Sequence, residues 1–262
     1  MMKLAVVVSS CDAFRDCWEP FLYSLDTYWP DCQWPVYMVS NEQAMPHDKV
    51  KFIRVGDDRG WASNLKLALQ QVEAEYILYL QEDYFLNRRV KTEVLREQLE
   101  YCRAERVDYL RLTPPFFDAH ILPGSDYAVS PPSAPYRLCL QAALWKKDTL
   151  DKLLIPGFNA WQFEREIESY IRKQQWEVNS RVLLSLHYPE KGFYYVPDTA
   201  VHKGMWSQNG VDFLISHGFE HLLAKRKIEG KLLTRLIHVE NKVARLFSTS
   251  LVRILLKLKV NV

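Results

Sequence analysis

Short runs of consecutive apolar residues alternate, over the first eighty positions, with stretches whose apolar residues recur at helical spacing. Leu4 to Ser9 is uninterrupted until its terminal serine, as expected of a strand buried on both faces. Phe14, Trp18, Phe21, Leu22 and Leu25 fall on one face of a helix that Pro30 stops. Trp34 to Ser40 and Val50 to Val55 read as two further strands. Ala62 to Val72 reads as a helix, and Tyr76 to Leu80 as a strongly apolar strand running into Gln81, Glu82 and Asp83. Strand, helix, strand, strand, helix, strand in this space predicts a mostly parallel sheet flanked by helices. Ligands of such sheets bind beyond the C-terminal ends of the strands. Three polar clusters stand at those ends: Ser9 to Asp12, Ser40 to Glu42, and Gln81 to Asp83.

Beyond this block the pattern loosens. Thr92 to Arg106 predicts a charged helix, and Asp108 to Leu112 a strand. Residues 113–135 hold six prolines and are expected to be irregular. Leu138 to Trp145 predicts a strand, Lys147 to Leu154 a helix, and Ala160 to Gln175 a helix capped by Asn159. Val182 to His187 and Phe193 to Val196 are expected strands, Asp198 to Gly210 a loop, and the remainder helical.

Length and composition narrow the classes. The 262 residues suit one large domain with an appendage, and 48% apolar with 25% charged residues suits a soluble globular chain. Glycine is scarce at 9 residues, and no two glycines are spaced G-x-G. A Gly-rich dinucleotide loop is therefore excluded, and the absence of G-x-x-x-x-G-K-S/T excludes a P-loop. The five cysteines are odd in number and contain no C-x-x-C, which predicts a reduced, cytosolic chain without a zinc ribbon. No run of 18 apolar residues occurs, so no membrane span is expected.

Charge divides the chain. From Leu222 to Val262 there are ten Lys/Arg and two acids, a net +8, which leaves −6 for residues 1–221 against the whole chain's +2. An acidic body argues against nucleic-acid binding. Apolar residues at Leu232, Leu236, Val239, Val243, Leu246 and Phe247, and again at Leu251, Ile254, Leu255 and Leu258, predict a basic amphipathic tail over 222–262. Such a tail suits the anionic inner face of a membrane, or packing on the body or a second subunit in an oligomer.

Acids just past a buried strand can hold a divalent cation against a diphosphate, although a solvated turn has the same composition. The order of the motifs resembles a GT-A-type glycosyltransferase of the family-2-like kind. Val6 to Asp12 resembles the first strand and nucleotide loop, and Val36 to Glu42 the second strand. Gly60 to Leu69 resembles the helix that opens with glycine and an Arg-Asn pair, and Tyr76 to Asp83 the strand entering the D-x-D motif. Trp161 to Glu164 resembles the segment supplying the acceptor-side base, and Val201 to Gly204 a late loop over the diphosphate.

The resemblance implies a GT-A-like catalytic domain over 1–221 that uses a nucleotide-diphosphate sugar. It implies a glycan or lipid-linked acceptor in surface-polysaccharide synthesis. Ser9, Asp12, Asn41, Glu42, Arg59, Asn64, Lys66, Glu82 and Lys203 are the implied donor-binding residues. Asp83 and His202 are the implied ligands of Mn2+ or Mg2+, and Glu164 the implied base of an inverting reaction. Trp61, Trp145, Trp161 and Trp206 offer stacking faces for sugar rings.

Two positions depart from the pattern: Gln81 stands where the first D-x-D aspartate is expected, and Ser63 where the helix commonly has Arg. Gln81 keeps open a noncatalytic binding module on the same fold. A nucleotidyltransferase on a related sheet would need a glycine-rich loop after the first strand, and Ser9 to Phe14 has no glycine.

Overall fold

The computed structural model describes residues 2–114, 119–132, 134, 136–197 and 199–230. The amphipathic pattern expected over 232–258 lies outside them.

Four parallel strands form the first half of the sheet: β1 (Met2–Ser9), β2 (Val36–Ser40), β3 (Val50–Arg54) and β4 (Ala74–Gln81). The connecting helices are α1 (Trp18–Tyr28), preceded by a 3-10 segment Asp12–Cys17, and α2 (Trp61–Leu69). After α3 (Thr92–Ala104) come β5 (Tyr109–Arg111), β6 (His120–Ile121), β7 (Tyr127–Val129) and β8 (Ala143–Lys146). Then follow α4 (Lys147–Leu153), α5 (Ala160–Lys173), β9 (Ser180–Leu183) and the single turn α6 (Tyr188–Lys191). The described chain ends with a hairpin of β10 (Val201–His202) and β11 (Met205–Trp206), then α7 (Gln208–Ser216) and a 3-10 segment Glu220–Lys225.

The main sheet has the order β3-β2-β1-β4-β8-β5-β9-β7-β6, with β8 antiparallel to both β4 and β5. This is the α/β architecture with a mostly parallel core that the sequence pattern predicts.

The pleat sorts the core into two layers. Leu4, Val6 and Val8 of β1 pack with apolar residues of α1, α3 and α7 on one face. Ala5 and Val7 pack with those of α2, α4 and α5 on the other. The α5 stripe of Phe163, Ile167 and Ile171 is fully committed to the second layer, at roughly 1.5–3 kcal/mol for each side chain buried. Asn159 starts this helix through a capping box, accepting from the Gln162 amide at 2.8 Å while the Gln162 side chain accepts from the Asn159 amide at 2.9 Å.

The structure differs from the sequence expectation where side chains replace a ladder. Of the apolar run 138–145, only Ala143 onward is strand. The preceding backbone is held by buried hydroxyls instead. Tyr109 Oη accepts from the Cys139 amide and donates to its carbonyl, and Tyr84 Oη donates to the Leu140 carbonyl at 2.7 Å. The described residues between 113 and 135 contain the short edge strand β6 and its neighbour β7 as well as irregular chain. Phe193 to Val196 makes only a bridge, Leu86 to Tyr195, because its partner segment 83–86 leaves the sheet at once. The Val182 to His187 strand stops at Leu183.

The C-terminal stretch is not all helical. Residues 226–230 run beside β11, with Trp206 donating to the Lys227 carbonyl, Glu229 donating to the Trp206 carbonyl, and a parallel bridge from Trp206 to Ile228. Arg226 clasps Asp16 with two 2.6 Å bonds and lies 4.4 Å over the Phe14 ring. The first nine residues of the basic segment are thus anchored to the body at Leu222, Arg226 and Glu229.

Gly210 of α7 makes a close approach that no other residue could. A Cβ there would sit 2.4 Å from the Ala200 carbonyl oxygen, which belongs to fixed backbone. Gly210→Ala is expected to destabilise the protein by about 1–3 kcal/mol through overpacking, read as a lowered melting temperature. An unchanged melting temperature would show that α7 slides freely on residue 200.

Candidate active site

The parallel strands end on one rim. Ser9 of β1 is in register with Gln81 of β4, so the segments after both strands emerge side by side. A cleft of about 1150 Å³ opens there. It is lined by seven of the expected site residues: Ser9, Asn64, Glu82, Asp83, Glu164, His202 and Lys203.

Asp12, Asn41, Glu42, Arg59 and Lys66 are not among the cleft-lining residues. Asp12 caps the loop after β2, its carboxylate accepting from the backbone amides of Asn41, Glu42 and Gln43 at 2.9–3.4 Å. Asn41 Oδ1 accepts from the Asp12 amide, and its Nδ2 donates to the Gly56 carbonyl. These two side chains tie three loops together. Glu42 is exposed at the edge of the same turn. Lys66 turns to α4, bonding the Asp151 carbonyl and carboxylate. Arg59 is exposed, and its backbone amide donates to Asn64 Oδ1. Asn64 also donates through Nδ2 to Asp58 at 2.7 Å, so it shapes the 58–60 loop that opens α2.

At the end of β4, Glu82 and Asp83 are each only 7% exposed. Asp83 Oδ2 receives a long 3.4 Å bond from the Val201 amide, while Oδ1 is buried and without a hydrogen-bond partner among the described residues. Burial pushes the Asp83 carboxyl up to about 6. Glu82 is raised well above the carboxylate range, first by burial and then by the charge of Asp83. The Thr199 side chain and the Val201 amide draw Asp83 down, and the charge of Arg226 draws both acids down to a lesser degree, its guanidinium being clasped to Asp16.

Gln81 has a local reason. Its Nε2 donates to Tyr79 Oη at 3.1 Å, which also receives Trp61 Nε1 at 3.2 Å. An ionised aspartate offers no donor for that hydroxyl.

His202 comes from the β10–β11 hairpin, whose two turn residues, Lys203 and Gly204, have φ of 49° and 77°. Positive φ at both positions is the geometry of a two-residue hairpin turn, and glycine meets it without steric cost. The turn presents the Lys203 ammonium to the cleft with no ion-pair partner among the described residues. His202 Nδ1 lies 3.0 Å from Glu229 Oε1.

Glu164 approaches from the other face of the sheet, one turn into α5. Its Oε1 accepts from the Leu140 amide at 2.7 Å. Burial raises its carboxyl above the ordinary range, against the opposing pull of that amide and of Arg111. Glu166 is exposed, and Glu168 pairs with Arg137, so the three glutamates of this helix have three separate surroundings. Trp61 and Trp161 line the cleft, the latter 56% exposed, whereas Trp145 and Trp206 are core.

Three cleft residues escape the sequence reading. Arg111 ends β5 fully buried, with Nε donating to Thr113 Oγ1 at 2.9 Å. Its signal was an arginine inside the apolar run Tyr109 to Leu112. Asp58 lines the cleft in front of Asn64. Glu229 is one of two acids in the basic stretch, and only the fold brings it to His202.

Among the described residues no cluster of three or more His, Cys, Asp or Glu is arranged to hold a metal ion. The partnerless Asp83 Oδ1, with an imidazole lining the same cleft, fits a divalent cation that draws its remaining ligands from a diphosphate. No helix among the described residues is long and apolar enough to cross a membrane.

No family model matches the chain, and no curated protein matches it. Solved structures similar to it include residues 1–349 of S. aureus TarS in complex with UDP, at 17% identity and TM-score 0.47. That match covers 74% of this chain and 60% of that one. Another is the mannosyltransferase PcManGT from Pyrobaculum calidifontis in complex with GDP-Man and Mn2+, at 15% identity and TM-score 0.47, covering 75% of this chain and 57% of that one. A cytidylyltransferase from Leptospira borgpetersenii matches at 12% identity and TM-score 0.46, covering 88% of this chain and all of that one. The chain spans less than two thirds of the length of the TarS fragment and of PcManGT. The likeness is one of general architecture, and function has to be read from the cleft itself.

A buried carboxyl whose pKa rises to about 6, from about 3.9 unfolded, binds its proton more tightly in the native state. Its stabilising effect is complete below about pH 4 and is lost as pH rises through about 6. Asp83→Asn is therefore expected to stabilise the protein by about 1–3 kcal/mol at pH 7.5 and by little at pH 4. Urea unfolding in the presence of EDTA across that range measures it, and a gain independent of pH contradicts the assignment.

Proposed function

We propose that the chain is a glycosyltransferase that moves a sugar from a nucleoside-diphosphate donor to a glycan or lipid-linked acceptor hydroxyl, with inversion at the anomeric carbon. The observation carrying this reading is the cleft beyond the parallel strand ends. It combines buried acids and a histidine beside a lysine with a separate carboxylate of raised pKa.

In this reading Asp83 and His202 hold a divalent metal, Mn2+ or Mg2+, and Lys203 contacts phosphate. The metal, when bound, neutralises diphosphate charge. Ser9 and the 58–64 loop form the nucleoside side, and Trp161 offers a sugar-stacking face.

Glu164 acts as general base. Its Oε1 is fixed by the Leu140 amide, which leaves Oε2 for the acceptor hydroxyl. As the acceptor oxygen bonds to the anomeric carbon, its proton passes to Glu164. The bond to the diphosphate oxygen breaks at the same time, and the leaving group takes the electron pair. Burial brings the carboxyl closer to neutral pH, where a base is more effective.

The basic segment beyond residue 230 is proposed to hold the protein at an anionic membrane surface, where a lipid-linked acceptor would lie.

A thermal-shift screen with uridine, guanosine, thymidine and cytidine diphosphates, with and without Mn2+, tests the reading. One diphosphate at a hundred times its Kd is expected to add about 2.7 kcal/mol. Glu164→Gln is expected to keep that shift and to lose about 10²–10⁴-fold in release of the diphosphate from the matching nucleotide sugar. No shift with any of the four would turn the reading to a noncatalytic module.

A further inference from the structure

Glu229 is a buried acid brought to the cleft by the chain's most basic region. It is 5% exposed, and its backbone is fixed on β11 by the amide bond to the Trp206 carbonyl at 2.9 Å. Three residues earlier, Arg226 anchors the same segment to Asp16 and Phe14 beside the end of β1. The segment 226–229 therefore spans from the 3-10 turn after β1 to the β10–β11 hairpin, and Glu229 is its inner end.

An ionised carboxylate only accepts hydrogen bonds. With Glu229 as the acceptor, the 3.0 Å contact between Glu229 Oε1 and His202 Nδ1 carries its proton on Nδ1. The carboxylate also fixes the plane of the ring. Nε2 has no hydrogen-bond partner among the described residues, and His202 lines the cleft. A carboxylate behind a histidine in this way selects the tautomer and raises the basicity of the far nitrogen.

We infer that Glu229 is a positioning residue. By holding His202 with Nδ1 protonated, it presents Nε2 as a lone pair toward the cation and diphosphate beside Asp83. It touches neither ligand and acts through the imidazole. The inference rests on the donor-site reading for the ligand, and on the His202–Glu229 contact alone for the tautomer.

The test has two readouts besides turnover. In full-length protein labelled with 15N-histidine, long-range 1H–15N spectra report which ring nitrogen of His202 carries the proton, with His202→Gln assigning the signal. The expected state is Nδ1–H, with Nε2 unprotonated. Mn2+ affinity, followed by electron paramagnetic resonance in the presence of the diphosphate that binds, is expected to fall about ten- to a hundredfold in Glu229→Ala. Glu229→Gln keeps an acceptor and is expected to fall between the two.

A native His202 protonated on Nε2, or Mn2+ affinity in a folded Glu229→Ala within twofold of native, overturns the inference while leaving the donor site standing. If Glu229→Ala does not fold, Glu229→Gln and the native spectrum decide. A native protein that binds no diphosphate sinks the donor-site reading instead, and the His202 spectrum still decides the role of Glu229.

Discussion

Two adjacent carboxyls buried at the end of a central strand are the constraint on which the cleft depends. Glu82 and Asp83 cannot both ionise in a dry environment without a nearby positive charge. The fold supplies part of one: Arg226 lowers both, yet its hydrogen bonds go to Asp16. Asp83 Oδ1 remains without a partner among the described residues. Such burial of two acids costs stability, the usual sign of a place kept for function, and in the proposed reading a cation from outside completes it.

The surrounding structure holds these acids in place. The Ala200 amide donates to the Asp83 carbonyl, and Ser207 donates to the Ala200 carbonyl, so the β10–β11 hairpin hangs from the end of β4. Gly210 lets α7 press against residue 200 from behind. On the opposite face, the hydroxyls of Tyr84 and Tyr109 pin the backbone at residues 139 and 140. The Leu140 amide then fixes one oxygen of Glu164. Carboxylates from the two layers of the molecule are thus set by bonds to backbone, which moves less than side chains do.

The sheet's first half was legible because its strands are buried on both faces and its helices on one, which produces unbroken runs and clean helical periods. The convergence of Ser9 with Gln81 followed from parallel order alone. The chain after residue 105 was harder to read, because tyrosine hydroxyls and single bridges replace ladders there and leave no periodic trace. Asp83, Glu164 and His202 were singled out through motif order, and all three line one cleft. Asp12 and Asn41 were placed at the correct rim, but their polar atoms are spent on neighbouring loop backbone, a matter of reach rather than position. Glu229 had no local signal: an acid in a basic run becomes informative only once Trp206 and Ile228 pair.

In the proposed reaction the unpartnered oxygen of Asp83 and the outer nitrogen of His202 face one cation-and-diphosphate site. Diffraction from crystals grown with Mn2+ and a nucleoside diphosphate, recorded at the manganese absorption edge, locates that cation without assuming any chemistry. The expected result is an anomalous peak bonded to an Asp83 carboxylate oxygen and to His202 Nε2, with diphosphate oxygens completing its coordination. Diphosphate bound in the cleft with manganese away from Asp83, or bound on another face of the protein, would contradict it.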